Sequence, residues 1–278
     1  MQGPNRDGDR ACGGCRVTAN HLDILAGAEA IAARAAQTLV AMHDRPHDVA
    51  RKQLRDVVTE ADLASERLVI DGLRALTPGT AILSEEAGAS GPDGGTRWIV
   101  DPLDGTVNYA SRLPWFSVTM AYQEEARTRV GVLNAPLAGI VARYVEDTIA
   151  TVNGRDVRVS ACTSLGDAVV SIILTSHFDE REVARAAEAI RRLGNVARGV
   201  RIIVSGGLEL TLVADARLDA FVSLKADIVS HAAAMPLVRA AGGRVTRFDG
   251  RDSTDEDLEK IASNGVIHDE LLACLAGV

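Results

Sequence analysis

Residues 98–110 read Trp-Ile-Val-Asp-Pro-Leu-Asp-Gly-Thr-Val-Asn-Tyr-Ala, an apolar run that stops at two aspartates, a proline and a glycine. Trp98, Ile99 and Val100 suit a buried strand, and Pro102 cannot donate to a ladder, so Asp101 is expected at the strand's end. A bend at Pro102 lets Asp101 and Asp104 converge with the Leu103 carbonyl between them, a set of hard oxygens suited to Mg2+. Gly105 allows close approach of backbone to a ligand, and Thr106 offers a hydroxyl and an amide at a helix start. The same residues also suit a plain strand-to-helix turn whose carboxylates only cap it.

Three other segments carry usable groups. Ser84-Glu85-Glu86 follows the strand Ala81-Ile82-Leu83; adjacent glutamates repel, and a cation relieves the repulsion. Thr59-Glu60-Ala61-Asp62 precedes an amphipathic run, which makes Thr59 an N-cap and places Asp62 at the third helical position. There Asp62 is a partner for the helix dipole, and it also stays ionised and able to accept a proton. Ser205-Gly206-Gly207 opens an apolar helix, Leu208 to Ala216; its amides could face a hydroxyl or phosphate, although packing would explain the glycines equally.

The string D-P-L-D-G-T-x-N-Y at 101–109 resembles the first signature of the inositol monophosphatase family, Mg2+-dependent phosphomonoesterases related in fold to fructose-1,6-bisphosphatase and the nucleotide 3'-phosphatases. The resemblance runs from about residue 20 to 276. It implies metal ligands at Glu85, Asp101, the Leu103 carbonyl and Asp104 for two or three Mg2+ ions, with Glu86 behind Glu85. Val-Thr-Glu-Ala-Asp is similar to the family's V-T-x-x-D, which gives Asp62 the task of orienting Thr106 and the attacking water. Asp104, Gly105, Thr106, Ser205 and Gly206 then fall around the substrate, and Arg201 with Ser205 matches the family's R-x-x-x-S/T-x-A. Arg217-Leu218-Asp219-Ala220-Phe221 and Ala241-Gly242-Gly243-Arg244-Val245 resemble the flanks of the second signature.

Between those flanks the pattern departs. An ungapped count puts Ser230 where the family has the aspartate of W-D-x-A-A-G, and Ser223 where many members have a substrate-contacting glutamate. Asp227, one helical turn before Ser230, either reaches the metal and substrate site or caps the helix. His231 beside it reads as a satisfied helix histidine or a substitute contact.

These groups require a scaffold of alternating elements. His21 to His43 carries apolar residues at helical spacing, His43 and His47 reading as solvated; strands follow at 116–122, 129–134, 140–144 and 148–152, with a short polar one from Asp156 to Ser160. The second half supplies a strand at 168–174, a charged helix at 179–193 and a strand at 197–204. His268 reads as the first turn of the last helix. The expected fold is an α/β (α+β) layered sandwich of the αβαβα sugar-phosphatase type, one domain over 19–278 with sub-domains of about 19–160 and 161–278, after a disordered tail at 1–18.

With 30 basic and 38 acidic residues in 278, the net charge is -8, which argues against a nucleic-acid surface and for a small ligand. No apolar run reaches the roughly 20 residues of a membrane span and the N-terminus lacks a signal-peptide core, so no membrane association and a cytoplasmic location are expected. Cys162 and Cys274 fit core positions in a reducing compartment, and Cys12-Gly-Gly-Cys15 is a redox pair, half a zinc site or an incidental pair in the tail. The resemblance adds a small phosphorylated metabolite as substrate and a homodimer; the rival reading is a catalytically impaired relative that binds such a metabolite or serves as a partner subunit.

Overall fold

The computed structural model describes residues 19–44, 49–51, 57–92 and 94–278. The tail expectation, Cys12, Cys15 and His47 lie outside them. Helix α1 (Ala19–His43) buries Ile24, Leu25, Ala28, Ile31, Ala32, Ala35 and Leu39, a stripe at helical spacing. Its segment His21–His43 is long and apolar enough to cross a membrane by length and composition, which corrects the expectation that no run reaches that length. Here the stripe is packed in a protein core with residues of the following helix and sheet.

His43 is buried rather than solvated, stacked on Phe116 and edge-on to Tyr109. It ends α1 where the helix meets the sheet, and its ring covers aromatic surface that water would otherwise touch. A short hairpin, β1 (Val49–Arg51) and β2 (Val57–Thr59), leads into α2 (Glu60–Leu76). The expected Thr59 cap is present as a capping box with Asp62.

Then come β3 (Ala81–Ser84), β4 (Gly88–Ser90), β5 (Thr96–Asp104) and α3 (Thr106–Ala110). A meander of β6 (Ser117–Glu124), β7 (Arg127–Ala135), β8 (Ile140–Val145), β9 (Ile149–Val152) and β10 (Arg155–Asp156) completes an eight-stranded sheet ordered β10-β9-β8-β7-β6-β5-β3-β4. Within it only the β3–β5 pair is parallel.

The second half contributes β11 (Val169–Ile172), α4 (Glu180–Val196), β12 (Gly199–Arg201), α5 (Gly206–Ala214) and β13 (Ala220–Ser223). It ends with α6 (Ile228–His231), α7 (Met235–Ala240), β14 (Arg244–Thr246), β15 (Lys260–Ser263) and α8 (His268–Cys274). Its sheet is ordered β12-β11-β13-β15-β14. Every residue of α5 is buried, and the helix packs on strands of both sheets. The layers are therefore α1 with α2, the first sheet, α5 to α7, the second sheet, then α4 with α8, the expected αβαβα order.

Two expected strands are shorter than their sequence pattern. Val157 N–H still bonds to Ala150 O of β9, but beyond it the chain leaves the first sheet and Val159 N–H bonds to Ala241 O instead. After Arg201 it turns toward α5 through Val204, which sits at φ +61.

Candidate active site

The aspartates are presented by a bulge. Asp101 pairs with Thr119 and Asp104 with Ser117, so β5 carries an extra residue against β6. This corrects the expectation that Asp101 ends the strand: the bulge accommodates Pro102, which has no N–H to give, and pairing resumes at Asp104. Leu103 N–H bonds to Asp101 Oδ1 (3.0 Å), and Ser65 Oγ donates to the Pro102 carbonyl (2.7 Å) from α2.

Asp104 accepts four hydrogen bonds. Its Oδ2 takes Ser117 Oγ (3.1 Å), Ser205 Oγ (2.8 Å) and Gly207 N–H (3.1 Å), and its Oδ1 takes Gly206 N–H (3.2 Å). The Ser-Gly-Gly turn thus aims its donors at Asp104, and Ser205 and Gly206 reach a substrate only beside that carboxylate. A buried glutamate that the sequence reading missed, Glu209, folds back one turn to accept Ser205 N–H (3.0 Å) and the Ser171 hydroxyl. Its signal was a lone acid in an otherwise apolar helix.

Asp62 and Thr106 meet as expected. Thr106 Oγ1 lies 3.1 Å from both Asp62 Oδ1 and the Leu103 carbonyl, while Asp62 Oδ2 accepts Thr59 N–H (2.7 Å) and Thr59 Oγ1 (2.6 Å). Gly105 is needed here: its φ is +93, and a Cβ would stand 2.7 Å from the Trp115 carbonyl. Asn108 Nδ2 ties the end of this turn to Trp115 O (2.8 Å) and Ile203 O (2.7 Å).

Glu85 stands close enough to Asp101 for its charge to raise the Asp101 carboxyl. The turn that carries it is held by buried Glu66, also missed in the sequence, whose Oε1 accepts Ser84 Oγ (2.7 Å) and Ala87 N–H (2.8 Å). Glu66 lies at helical spacing on an amphipathic helix and looks like any solvated acid there.

Burial dominates the electrostatics. It pushes Asp101 well above the usual carboxylate range, with the charges of Glu85 and Asp104 adding to it. Burial likewise raises Asp104 to about 6, against four hydrogen bonds that lower it, and Glu209 to about 7. Asp62 is raised by burial in the same way. Three mutually repelling acids with a carbonyl beside them fit a hard divalent cation, which would relieve the repulsion. Among the described residues they are not yet gathered as a three-ligand cluster; Asp104 is turned to the donors of α5.

Glu85, Asp101, Asp104, Thr106, Asp227 and Ser230 line one cavity of about 550 Å3. Ser230 occupies the position over Asp101, its Oγ donating to Oδ2 (2.9 Å). Asp227 is exposed and caps α6, its Oδ1 accepting Val229 N–H (2.9 Å). Ser223 and His231 also line the cavity, and among the described residues neither Ser223 Oγ nor His231 Nδ1 has a partner, so His231 is not the satisfied helix histidine expected. Burial pulls its imidazole down to about 3, leaving it neutral. Arg201 is outside the cavity lining, exposed, and folded onto the Val200 carbonyl (3.0 Å).

The family model for the inositol monophosphatase family matches residues 20–277. The chain is 34% identical over 218 residues to a Thermotoga maritima fructose-1,6-bisphosphatase/inositol-1-monophosphatase, covering 78% of this chain and 82% of the relative. It is 34% identical over 226 residues to the Nus factor SuhB of Escherichia coli K12, covering 79% and 83%. Among solved structures, the Thermotoga maritima IMPase superposes with a TM-score of 0.83 at 31% identity over 91% of this chain and 96% of that one. The extragenic suppressor protein suhB of Bartonella henselae superposes at 0.86 and 28%, over 92% and 99%. With the Asp-Pro-Leu-Asp-Gly-Thr bulge, the Asp62–Thr106 pair and this match over nearly its whole length, the chain belongs to the inositol monophosphatase family.

Proposed function

We propose that the protein is a Mg2+-dependent phosphomonoesterase that hydrolyses a small phosphorylated alcohol. The observation that carries this reading is the half-buried Thr106 hydroxyl, placed to donate to Asp62 Oδ1 or to the Leu103 carbonyl and set beside Glu85, Asp101 and Asp104. Asp62 holds the Thr106 hydroxyl, and Thr106 orients a water for in-line attack on phosphorus. The Gly105 and Thr106 amides take phosphate oxygens. Glu85, Asp101, Asp104 and the Leu103 carbonyl would hold Mg2+, which supplies Lewis-acid polarisation of the phosphate and stabilises the leaving oxygen.

For the alcohol we favour a nucleoside, with a sugar or polyol as the alternatives. Ser223 in place of a carboxylate removes an acceptor for polyol hydroxyls, while Leu83, Val107, Ile173, Ile228 and Leu258 give the cavity apolar walls suited to a flat ring. Phosphate release from a panel of monoesters, with Mg2+ or with EDTA, tests the activity. Asp104→Asn should abolish turnover in a folded protein; activity that survives EDTA would overturn the mechanism.

Ser230 favours one other reading, a catalytically impaired relative that binds a phosphorylated metabolite or a protein partner, and the Nus factor relatives support it. No release from any monoester, together with retained binding of one, is its signature.

A further inference from the structure

We infer that His231 is a specificity-determining residue: its imidazole, wedged against Gly206 in the cavity wall, hydrogen-bonds a hydroxyl of the substrate alcohol. The chain then prefers hydroxylated monoesters to their deoxy counterparts. The inference rests on the phosphomonoesterase reading above and concerns the choice of alcohol.

His231 ends α6 beside the turn that opens α5, and the two glycines of that turn make room for it. A Cβ on Gly207 would stand 2.7 Å from the Ser230 carbonyl, and one on Gly206 would stand 2.3 Å from His231 Nε2 and 2.7 Å from its Cδ2. The ring therefore occupies the volume that any larger residue at 206 would fill. Phe221 of β13 meets it edge-on, with ring centres 5.5 Å apart, and this contact fixes the plane of the imidazole.

This wall adjoins the phosphate position of the proposed reaction. Gly206 N–H is bonded to Asp104 (3.2 Å), and Gly206, Asp104 and His231 line the same cavity. Gly105 touches the same turn, since a Cβ on it would lie 3.4 Å from Ser205 Cβ. An alcohol joined to a phosphate at Gly105 and Thr106 thus starts one residue away from the surface that His231 covers.

The chemistry of the ring selects a hydroxyl. Burial keeps it neutral, and the charge of Lys260 acts in the same direction. A neutral imidazole has one N–H and one lone pair, and the partner of one nitrogen ordinarily decides which of them the other presents. Among the described residues Nδ1 has no partner, although the side chain is buried. No bond at Nδ1 therefore fixes the tautomer, and Nε2 can donate or accept. A hydroxyl matches either state, whereas a carboxylate matches only the N–H form and an ammonium is opposed by Lys260.

Two sets of monoesters that differ only in hydroxyls read the contact. One is 5′-AMP against 2′-deoxy- and 3′-deoxyadenosine 5′-monophosphate, and the other is glycerol 2-phosphate against isopropyl phosphate. With Mg2+, the wild type should favour the hydroxylated member of a hydrolysed set by about 3- to 10-fold in kcat/KM, the weight of one neutral hydrogen bond, expressed mainly in KM. In His231→Val the ratio should fall to about 1, and it should fall likewise in Gly206→Ala, where the new Cβ displaces the ring. A purely structural role for His231 would lower all rates together and leave the ratio in place.

A wild type that discriminates in neither set overturns the inference whether or not the variants fold, and so does a folded His231→Val that keeps the wild-type ratio. The phosphatase reading survives both results. If no ester is hydrolysed, that reading falls, and histidine 15N spectra of the full chain decide the contact by themselves. With Mg2+ and 5′-AMP or glycerol 2-phosphate, the imidazole signal that is missing from His231→Val should shift, and a signal unmoved by either ester would overturn the contact.

Discussion

The Thr106 hydroxyl lies 3.1 Å from Asp62 Oδ1 across 44 residues of chain, and the same aspartate caps its own helix through Thr59. One carboxylate thus fixes both the entry of α2 and the candidate water-orienting group. Thr106→Val should lower kcat by roughly 10^2 to 10^4 with little change in stability, the range of a positioned proton-transfer group. Asp62→Ala should add a loss of about 1 kcal/mol from the cap. Steady-state kinetics beside denaturant melts separate the two effects; equal rates in wild type and Thr106→Val would remove Thr106 from the mechanism.

The buried acids weaken the metal-free fold as pH rises. Asp104 rises from 3.8 to about 6 and Glu209 from 4.5 to about 7 on folding, so between about pH 4 and 7 these two carboxyls bind more protons in the folded chain than in the unfolded one. Their contribution to stability falls as pH rises through that window, while buried His231 and His268, held down to about 3 and about 4, work in the opposite sense below 6.5. Glu209→Gln isolates the carboxyl contribution: in EDTA its Tm should gain on that of the wild type between pH 5 and pH 8. Parallel pH profiles for the two would contradict this account.

Glu66 is outside the cavity lining, yet it holds the turn that carries Glu85. Removing such a support commonly weakens metal binding by 10- to 100-fold. Glu66→Ala should show a drop of about that size in Mn2+ affinity, read by calorimetry, and Ser84→Ala a smaller one. Unchanged affinity in both would mean that the turn holds its shape without them.

Val204 is β-branched and sits at φ +61 beside the cavity, where a side chain costs of order 1–3 kcal/mol. Val204→Gly should raise stability by roughly 1 kcal/mol after glycine's own entropic cost. Gly105→Ala should do the reverse, because both its φ and the nearby Trp115 carbonyl exclude a Cβ, and it should cost activity by displacing Thr106. Thermal melts of the two variants test both signs.

Much of this site was legible from residue types alone. The Thr59 cap, the strand before Asp101 and the helix after Gly105 follow from local rules that a few adjacent residues obey. Glu66 and Glu209 were not legible, since a glutamate on a helix is ordinarily solvated, and only tertiary packing shows that these two are enclosed. His43 failed for the same reason: the segment after it is polar, but the rings it meets, Tyr109 of α3 and Phe116 before β6, are aromatic. The continuation of β5 through Pro102 depends on a bulge, which the pattern of apolar residues does not encode. The role of the Ser-Gly-Gly turn was half visible, as the donors could be read but not their acceptor.

The fixing of Asp104 by Ser205, Gly206 and Gly207 spans about a hundred residues, and this has a consequence for biosynthesis. A ribosome releases the aspartates long before the α5 turn emerges, and longer still before Ser230. The nascent first half, even if its sheet has formed, holds that carboxylate through Ser117 alone, before its three other donors exist. Turnover should begin only when the later half docks, so a stalled or truncated product is inert, and a two-fragment complementation assay would regain activity only on reassembly.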